Sequence, residues 1–371
     1  MKRFPCPGCQ ADLEFDPKTA GMKCPYCGRE EPVPQEVPGR VVRAHELKAY
    51  LTPKAEWLAR LAENAMQVTC TSCGATTEFT PPEVAGECPF CGATLVAQPI
   101  AADPLIAPGG VLPFAISKKE AVAAIRGWIA SRWFAPVALK KLAQQEGISG
   151  VYLPYWTYDA QTASHYVGER GQYYYQTERY SEVDEKGQFV WKERKVRKTR
   201  WHPASGSVSR YFSEVTVPAT TSVSEPRLQS LEPWDLAAVV PYEPAFLSGF
   251  RAQRYQRDLG SGFERAKELM AGPIYHDVCK AIGGDEQRVH RVDTRTSRET
   301  FKHLLFPVWI AAYRFEGKVF QVLVNARNGD LQGERPYSVT KIALLVLAIV
   351  ALVALLIWWQ SGNHPAGAVF L

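Results

Sequence analysis

The chain has 371 residues, room for two or three domains, and its 46% hydrophobic and 22% charged content is that of an ordinary globular protein. A formal net charge of +5 is too mild to argue for nucleic acid from composition alone. Ten tryptophans and sixteen tyrosines favour aromatic-rich strands and weigh against a plain helical bundle.

At the N-terminus, Met1-Lys2-Arg3 leads straight into Phe4-Pro5-Cys6 with no apolar run, so no secretory signal is expected and the thiols are expected reduced, in the cytosol. Cys6, Cys9, Cys24 and Cys27 read C-x2-C-x14-C-x2-C, and Cys70, Cys73, Cys88 and Cys91 repeat that spacing 64 positions later. Phe15 and Phe79 keep the same offset, as do Gly28 and Gly92. The two segments, 1–34 and 67–98, are each roughly thirty residues, too short to offset chain entropy with a core of their own. Four thiolates at this spacing suit one tetrahedral zinc ion per segment, hence two Zn2+ per chain. Metal binding worth about 10–16 kcal/mol in such peptides takes the place of a core. Disulfides would need an oxidising compartment; rubredoxin-like iron shares the C-P-x-C-G knuckle but usually with a longer stretch between knuckles. A closed four-sulfur site has no open coordination position, so the metal is not expected to catalyse. Glycine follows Cys27, Cys73 and Cys91, where a knuckle tolerates positive φ, whereas Gln10 follows Cys9. These segments resemble zinc ribbons of the transcription-factor-IIB type, which implies knuckles capping short β-hairpins.

Pro32, Pro34 and Pro38 mark 35–66 as a linker. Within it Thr52-Pro53 looks like a helix start, and Trp57, Leu58, Leu61 and Ala65 predict a short helix over 53–66. A second linker covers 99–110. From 111 to 336 the pattern is α+β. Leu112-Pro113-Phe114 opens a strand, and Ser117-Lys118-Lys119-Glu120 is a capping box ahead of Val122, Ile125, Trp128 and Ile129 at helical spacing. Pro136 starts a second helix that Gly147 ends. Residues 150–159 read as an aromatic strand, 166–180 continue as strand, and Glu185-Lys186-Gly187 turns into Phe189-Val190-Trp191. A second half repeats this plan: Val240-Pro241-Tyr242 mirrors Leu112-Pro113-Phe114, and Phe306-Pro307-Val308-Trp309 mirrors Leu153-Pro154-Tyr155-Trp156. Between them 263–282 is helical, bent at Pro273. Strands follow at 313–315 and 319–324, with turns at Glu316-Gly317 and Asn328-Gly329. The region is expected to be two related α+β units.

Residues 342–359 contain no charged side chain and end in Trp358-Trp359, with Lys341 at the other boundary. Eighteen helical residues span about 27 Å, close to a hydrocarbon core of about 30 Å. Arg327, Arg335 and Lys341 precede this span, and 360–371 carries no Lys or Arg. The positive-inside rule then keeps the body cytosolic and the short tail outside a cell membrane crossed once.

Motifs for phosphate loops, dinucleotide binding, zincins and nucleophile elbows are missing from the sequence. Cys279, near His276 and Lys280, is placed for a nucleophile but reads better as a small buried residue, and Tyr158-Asp159 reads either as part of a pocket or as packing and a turn. The densest basic run is Lys192, Arg194, Lys195, Arg197, Lys198 and Arg200, with Tyr173, Tyr174, Tyr175, Trp191 and Trp201 around it. Three readings stand: phosphate contacts and stacking on nucleic acid, anionic lipid headgroups, or an exposed hairpin whose charges face Glu178, Glu182, Asp184 and Glu185.

The twin ribbons, Leu112-Pro113-Phe114, residues 151–156, the strand pair between Gly317 and Gly329, and the terminal span together resemble a bacterial family of zinc-ribbon membrane proteins. Its members are often labelled primosomal protein N′ (replication factor Y), a superfamily II helicase; this sequence has no motor domain, so helicase activity does not follow. The resemblance implies association with phage-shock-type and SPFH membrane proteins. The expectation is a non-enzymatic adaptor whose knuckles recruit a protein partner to the membrane; the alternatives are a membrane-tethered nucleic-acid binder and, last, an enzyme using the α+β region.

Overall fold

The computed structural model describes residues 4–34, 41–51, 58–59, 66–79, 85–96, 105–131, 147–183, 185, 187–315, 318–334 and 339–362. Its body is a nine-stranded sheet. The strands that organise it are β1 (Gly110–Val111), β2 (Ile148–Val183), β3 (Phe189–Pro218), β4 (Val240–Pro241), β5 (Arg251–Ala252), β6 (Glu286–Phe315), β7 (Lys318–Asn325) and β8 (Leu331–Gly333). Three helices matter: α1 (Lys118–Ala130), α2 (Leu259–Ile282) and α3 (Val339–Gly362). Across the sheet the order is β3-β2-β6-β1-β4, with β7 and β8 extending from β6 and β5 alongside β2.

The central pair is antiparallel β2 and β6, with Leu153 directly opposite Phe306. These are the two segments the sequence matches to each other. Pro154 falls where the neighbour of β2 changes from β5, at Val151–Tyr152, to β3, from Tyr155 onward. Pro307 falls at the matching seam of β6, between β1 at Leu304–Leu305 and β7 from Val308. A proline lacks the ladder donor, and a seam is where that donor is not needed. The strand corresponding to β1 differs from expectation. β5 runs parallel to β2 at Val151–Tyr152 as β1 runs parallel to β6 at Leu304–Leu305. The helix N-caps Ser117 and Asp258 follow six residues after Val111 and Ala252. Val240-Pro241 instead pairs antiparallel with β1. The local resemblance around a proline pointed to the wrong strand.

Residues 151–158 are apolar almost without interruption because both sheet faces are covered. Val151, Leu153 and Tyr155 point into one core cluster and Tyr152 into the other. The first cysteine unit covers one face: Leu13, Phe15 and Met22 pack with Phe246, Phe250, Phe114 and Trp309, beside α1. The second covers the opposite face, with Val68, Ala75, Phe90 and Leu95 against Leu153, Phe306, Leu228 and Leu323. Both units are packed onto the body through their hairpins, while residues 7–10, 25–28 and 71–74 of the knuckles stay exposed and the Cys88–Cys91 knuckle is buried. One segment straps both down. The Phe15 amide donates to Ser248 O at 3.1 Å and Ser248 Oγ to Leu13 O. Five residues on, Thr77 bridges Gln253, and Gln256 Nε2 donates to Gly74 O at 3.3 Å.

Beyond a bulge at Asp159, β2, β3 and β6 leave the core as a three-stranded arm, and past Gly171 it narrows to the β2–β3 hairpin. Residues 160–183 extend it by roughly 80 Å at about 3.3 Å per residue. Helix α2 lies on its root, burying Phe263, Met270, Ile274 and Val278 against Tyr158, Tyr166 and Phe301. A bidentate pair from Arg210 to Asp277, at 2.6 Å twice, fastens that helix to β3. Strand β8 runs parallel to β6 and so heads away from the arm.

The capping box at Ser117 and Glu120 forms as expected, and so does the hairpin turn, with Gly187 at φ 76°. Of the predicted helix over 53–66, only residues 58–59 and 66 are described, and the rest lies outside the described residues. Leu58–Ala59 is a strand paired with Leu105–Ile106, inside the second expected linker, and Met66 already begins a strand. β-pairing there overrides weak local helix propensity. The helix expected after Pro136 lies outside the described residues.

His303, on β6, is 5% exposed and stacks near Trp156 and Tyr255. Its Nδ1 must donate to Ile106 O, 2.8 Å away, because a carbonyl can only accept. Burial pulls its pKa from 6.5 to about 4. The folded ring stays neutral where the unfolded one protonates, so stability is full above pH 6.5 and is lost as pH falls toward 4. The gap between those values corresponds to about 3 kcal/mol. Denaturant melts at pH 7 and pH 4.5 should show that loss in the natural chain and a smaller one in His303→Asn.

Candidate metal centres

Each C-x2-C pair closes the same turn. The amide of Cys6 donates to Ala11 O and that of Gln10 back to Cys6 O, and the pattern recurs at Cys24, Cys70 and Cys88 with distances of 2.7 to 3.0 Å. The residue closing each turn sits at positive φ: Gln10 at 63°, Gly28 at 72°, Gly74 at 73° and Gly92 at 67°. Three are glycines, as that backbone prefers, and Gln10 adopts the same conformation at a steric cost.

These turns bring the predicted sulfurs together. Cys6 Sγ lies 3.5 Å from Cys27 Sγ and Cys9 Sγ 3.4 Å from Cys24 Sγ. In the second unit Cys70 and Cys91 are 3.5 Å apart, and Cys73 and Cys88 3.6 Å. Within each set of four all ligand atoms fall within 4.8 Å of one another. A tetrahedron with metal–sulfur bonds of about 2.3 Å has edges of about 3.8 Å, whereas a disulfide would be about 2.05 Å. The geometry is that of two metal sites made only of sulfur.

Crowding separates the proton affinities of these thiols. The Cys27 amide, aimed at Cys24 Sγ from 3.5 Å, brings Cys24 down to about 6. The Gly8 amide likewise lowers Cys6. Cys9 goes the other way: the Ala11 amide lowers it, but the neighbouring Cys24 sulfur and burial push it up to about 12. Burial raises Cys88 to about 11. A dication held by all four sulfurs relieves this conflict and displaces the remaining protons, so metal affinity falls in acid.

The basic run is on the arm, and strand alternation divides it. Lys192, Arg194, Lys198 and Arg200 share one face, and Lys195 and Arg197 the other. On the first face Lys192 pairs with Glu182 at 2.7 Å, while Arg194 and Lys198 pair with Glu178 at 3.6 and 3.0 Å. Arg200 lies over the Tyr174 ring. Arg197 lies over Tyr173 on the second face. The hairpin reading holds for Glu178 and Glu182, and six cations do not form one surface. Asp159 has a structural task at the bulge. Its Oδ1 accepts from the Glu214 amide at 2.7 Å and its Oδ2 from Thr300 Oγ1 at 3.0 Å, tying three strands together. Tyr158 donates to Leu259 O at the start of α2. Cys279 is half-buried on α2, apart from both sulfur clusters.

Two features escaped sequence reading. Phe90, in the Cys88–Cys91 knuckle, is fully buried, and its carbonyl accepts from Gln321 Nε2 at 2.6 Å. Arg227 holds the other end of that amide at 3.1 Å. The hairpin tip leaves Val183, Phe189 and Trp191 exposed on one face, with Phe189 78% and Trp191 72% accessible. Helix α3 contributes Lys341–Trp359, long and apolar enough to cross a membrane.

Fold and sites together define an α+β protein with two four-cysteine centres that fit metal and one apolar C-terminal helix. The chain is 25% identical to "Uncharacterized protein YdjG" of Bacillus subtilis (strain 168) over 343 residues, 92% of each sequence. No family model matches the chain, and no solved structure matches it.

Replacing Gln10 by glycine should raise stability by about 1 kcal/mol, the cost of a side chain at that φ. Denaturant unfolding of the metal-loaded protein measures it; unchanged or lower stability contradicts the strain argument.

Proposed function

We propose that the chain is a non-enzymatic, membrane-anchored adaptor that recruits a cytosolic protein partner through the tip of its arm. Zinc fills both four-sulfur sites, as TFIIB-type ribbons, and staples the two covers onto the sheet. The apolar helix crosses the cell membrane once, with the body in the cytosol and the tail outside. In this reading the body consists of two related units joined back to back at Leu153 and Phe306. Matching seams at Pro154 and Pro307 and equivalent N-caps at Ser117 and Asp258 support it.

One observation carries the reading: an arm whose exposed Val183, Phe189 and Trp191 lie at the end opposite the strand that leads into the apolar helix. Large apolar side chains at the far end of a long hairpin are a contact surface held away from the bilayer. Membrane-stress proteins of the phage-shock or SPFH kind are the proposed partner class. The cysteine units, whose hairpins pack on the body, serve stability, and the contact surface is the arm tip.

Affinity purification from membranes with mass spectrometry tests this. The natural chain should retain a partner that the double variant Phe189→Ser, Trp191→Ser loses while its zinc content stays unchanged. An identical set of proteins with both chains sinks the adaptor reading. Salt-sensitive retention of DNA or RNA, weakened by Lys195→Ala and Arg197→Ala, would favour the nucleic-acid alternative.

A further inference from the structure

The two cysteine units share spacing, turns and hydrogen bonds, but the body holds them differently. Tyr26 and Phe90 occupy the same position of the same knuckle, 64 residues apart. Phe90 is 0% exposed and Tyr26 83%. The sulfurs beside them follow suit: Cys91 is buried, and its counterpart Cys27 is exposed. In the first unit Cys9 and Cys27 both reach solvent, whereas in the second only Cys73 does. The knuckle of Cys24 and Cys27 also borders an open cleft of about 590 Å³, lined by Cys24, Pro25, Gly28, Lys118, Ser149 and Trp309 among others. In the second unit the Phe90 ring is packed into the core facing the sheet, and the Arg227–Gln321 pair grips its carbonyl.

We infer that the two metal sites are kinetically unequal: the first is an exchangeable site from which a soluble thiol or chelating ligand takes zinc, and the second keeps its metal. This rests on reading both clusters as zinc sites. Exchange requires an incoming ligand to reach the metal while one zinc–sulfur bond opens. Cys27 and Cys9 meet both conditions, since both residues are exposed and the Tyr26 knuckle can swing without leaving a core, whereas in the second unit Cys73 alone is exposed. Opening Cys91 would drag Phe90 out of the sheet. The reaction moves no electrons. Zn2+ leaves with the competing ligand, and the freed thiolates take protons from solvent. Losing that metal loosens only the first cover, because Cys6 and Cys24 belong to the cluster that seats it on Phe246 and Phe250. The device would uncover one sheet face in response to metal-competing ligands while the other stays closed.

The test uses the full chain, zinc-loaded, in detergent micelles. Total zinc is measured first. Two ions per chain support the zinc reading, and fewer overturn it together with this inference. Release to 4-(2-pyridylazo)resorcinol should then be biphasic, one equivalent leaving at least tenfold faster than the other. Iodoacetamide labelling followed by mass spectrometry should mark Cys9 and Cys27 during the fast phase while Cys88 and Cys91 stay protected. Gln321→Ala, a milder change than emptying the Phe90 seat, should speed the slow phase and leave the fast one alone. A single phase for both ions, early labelling of Cys88 and Cys91, or no effect of Gln321→Ala on the slow phase would overturn the inequality and leave the zinc reading intact.

Discussion

The structure depends on a sheet that must be covered on both faces, with few helices among the described residues to do it. Around Leu153 and Phe306 the central strands alternate apolar side chains to both sides. A parallel or mixed sheet in that position normally recruits helices. Here α1 shares one face with the first cysteine unit, and the second unit takes the other with the short helix Glu225–Gln229. The dependence runs both ways. A segment of about thirty residues cannot bury enough surface to fold alone, and Phe15 and Phe90 find on the sheet the core they lack at home.

Both covers converge on residues 244–257, a stretch of short turns between β4 and α2. Ser248, Gln253 and Gln256 meet the two units within a few residues, and Arg257 reaches Glu225 at 3.0 Å. This stretch runs directly into the N-cap of α2, Asp258, so both covers are fastened beside the helix that lies on the root of the arm. Asp159 closes the bulge at that root, so metal sites and arm are joined by packed, hydrogen-bonded contacts.

The arm is a β-ribbon with an edge to protect. Among the described residues the outer strand of the arm, β3, pairs on one side only, which leaves a long edge of the kind that invites another chain. The run of lysines and arginines, with Pro203 in the ladder opposite Glu169, discourages that pairing. The cations are largely spent on Glu178, Glu182 and the tyrosine rings, which leaves the apolar tip as the distinctive surface. Surface pairs of this sort contribute little stability each, and their value lies in holding the hairpin in register.

Local chemistry determined much in the sequence alone. Cysteine spacing specifies both sulfur clusters because a C-x2-C turn has few closures. The Ser117 box specifies the start of α1, and an uncharged run of eighteen residues specifies a helix of membrane-spanning length. The aromatic strand from Val151 and the turn at Gly187 were legible for the same reason, period and turn chemistry being local. Tertiary structure decided the rest. Tyr26 and Phe90 are equivalent in the sequence and opposite in the fold, since burial depends on which surface the body offers. Leu58–Ala59 reads as helix and pairs as strand because its partner lies at Leu105–Ile106. The basic run looks like one patch in the sequence and is two faces in space, because a strand sends neighbouring side chains in opposite directions.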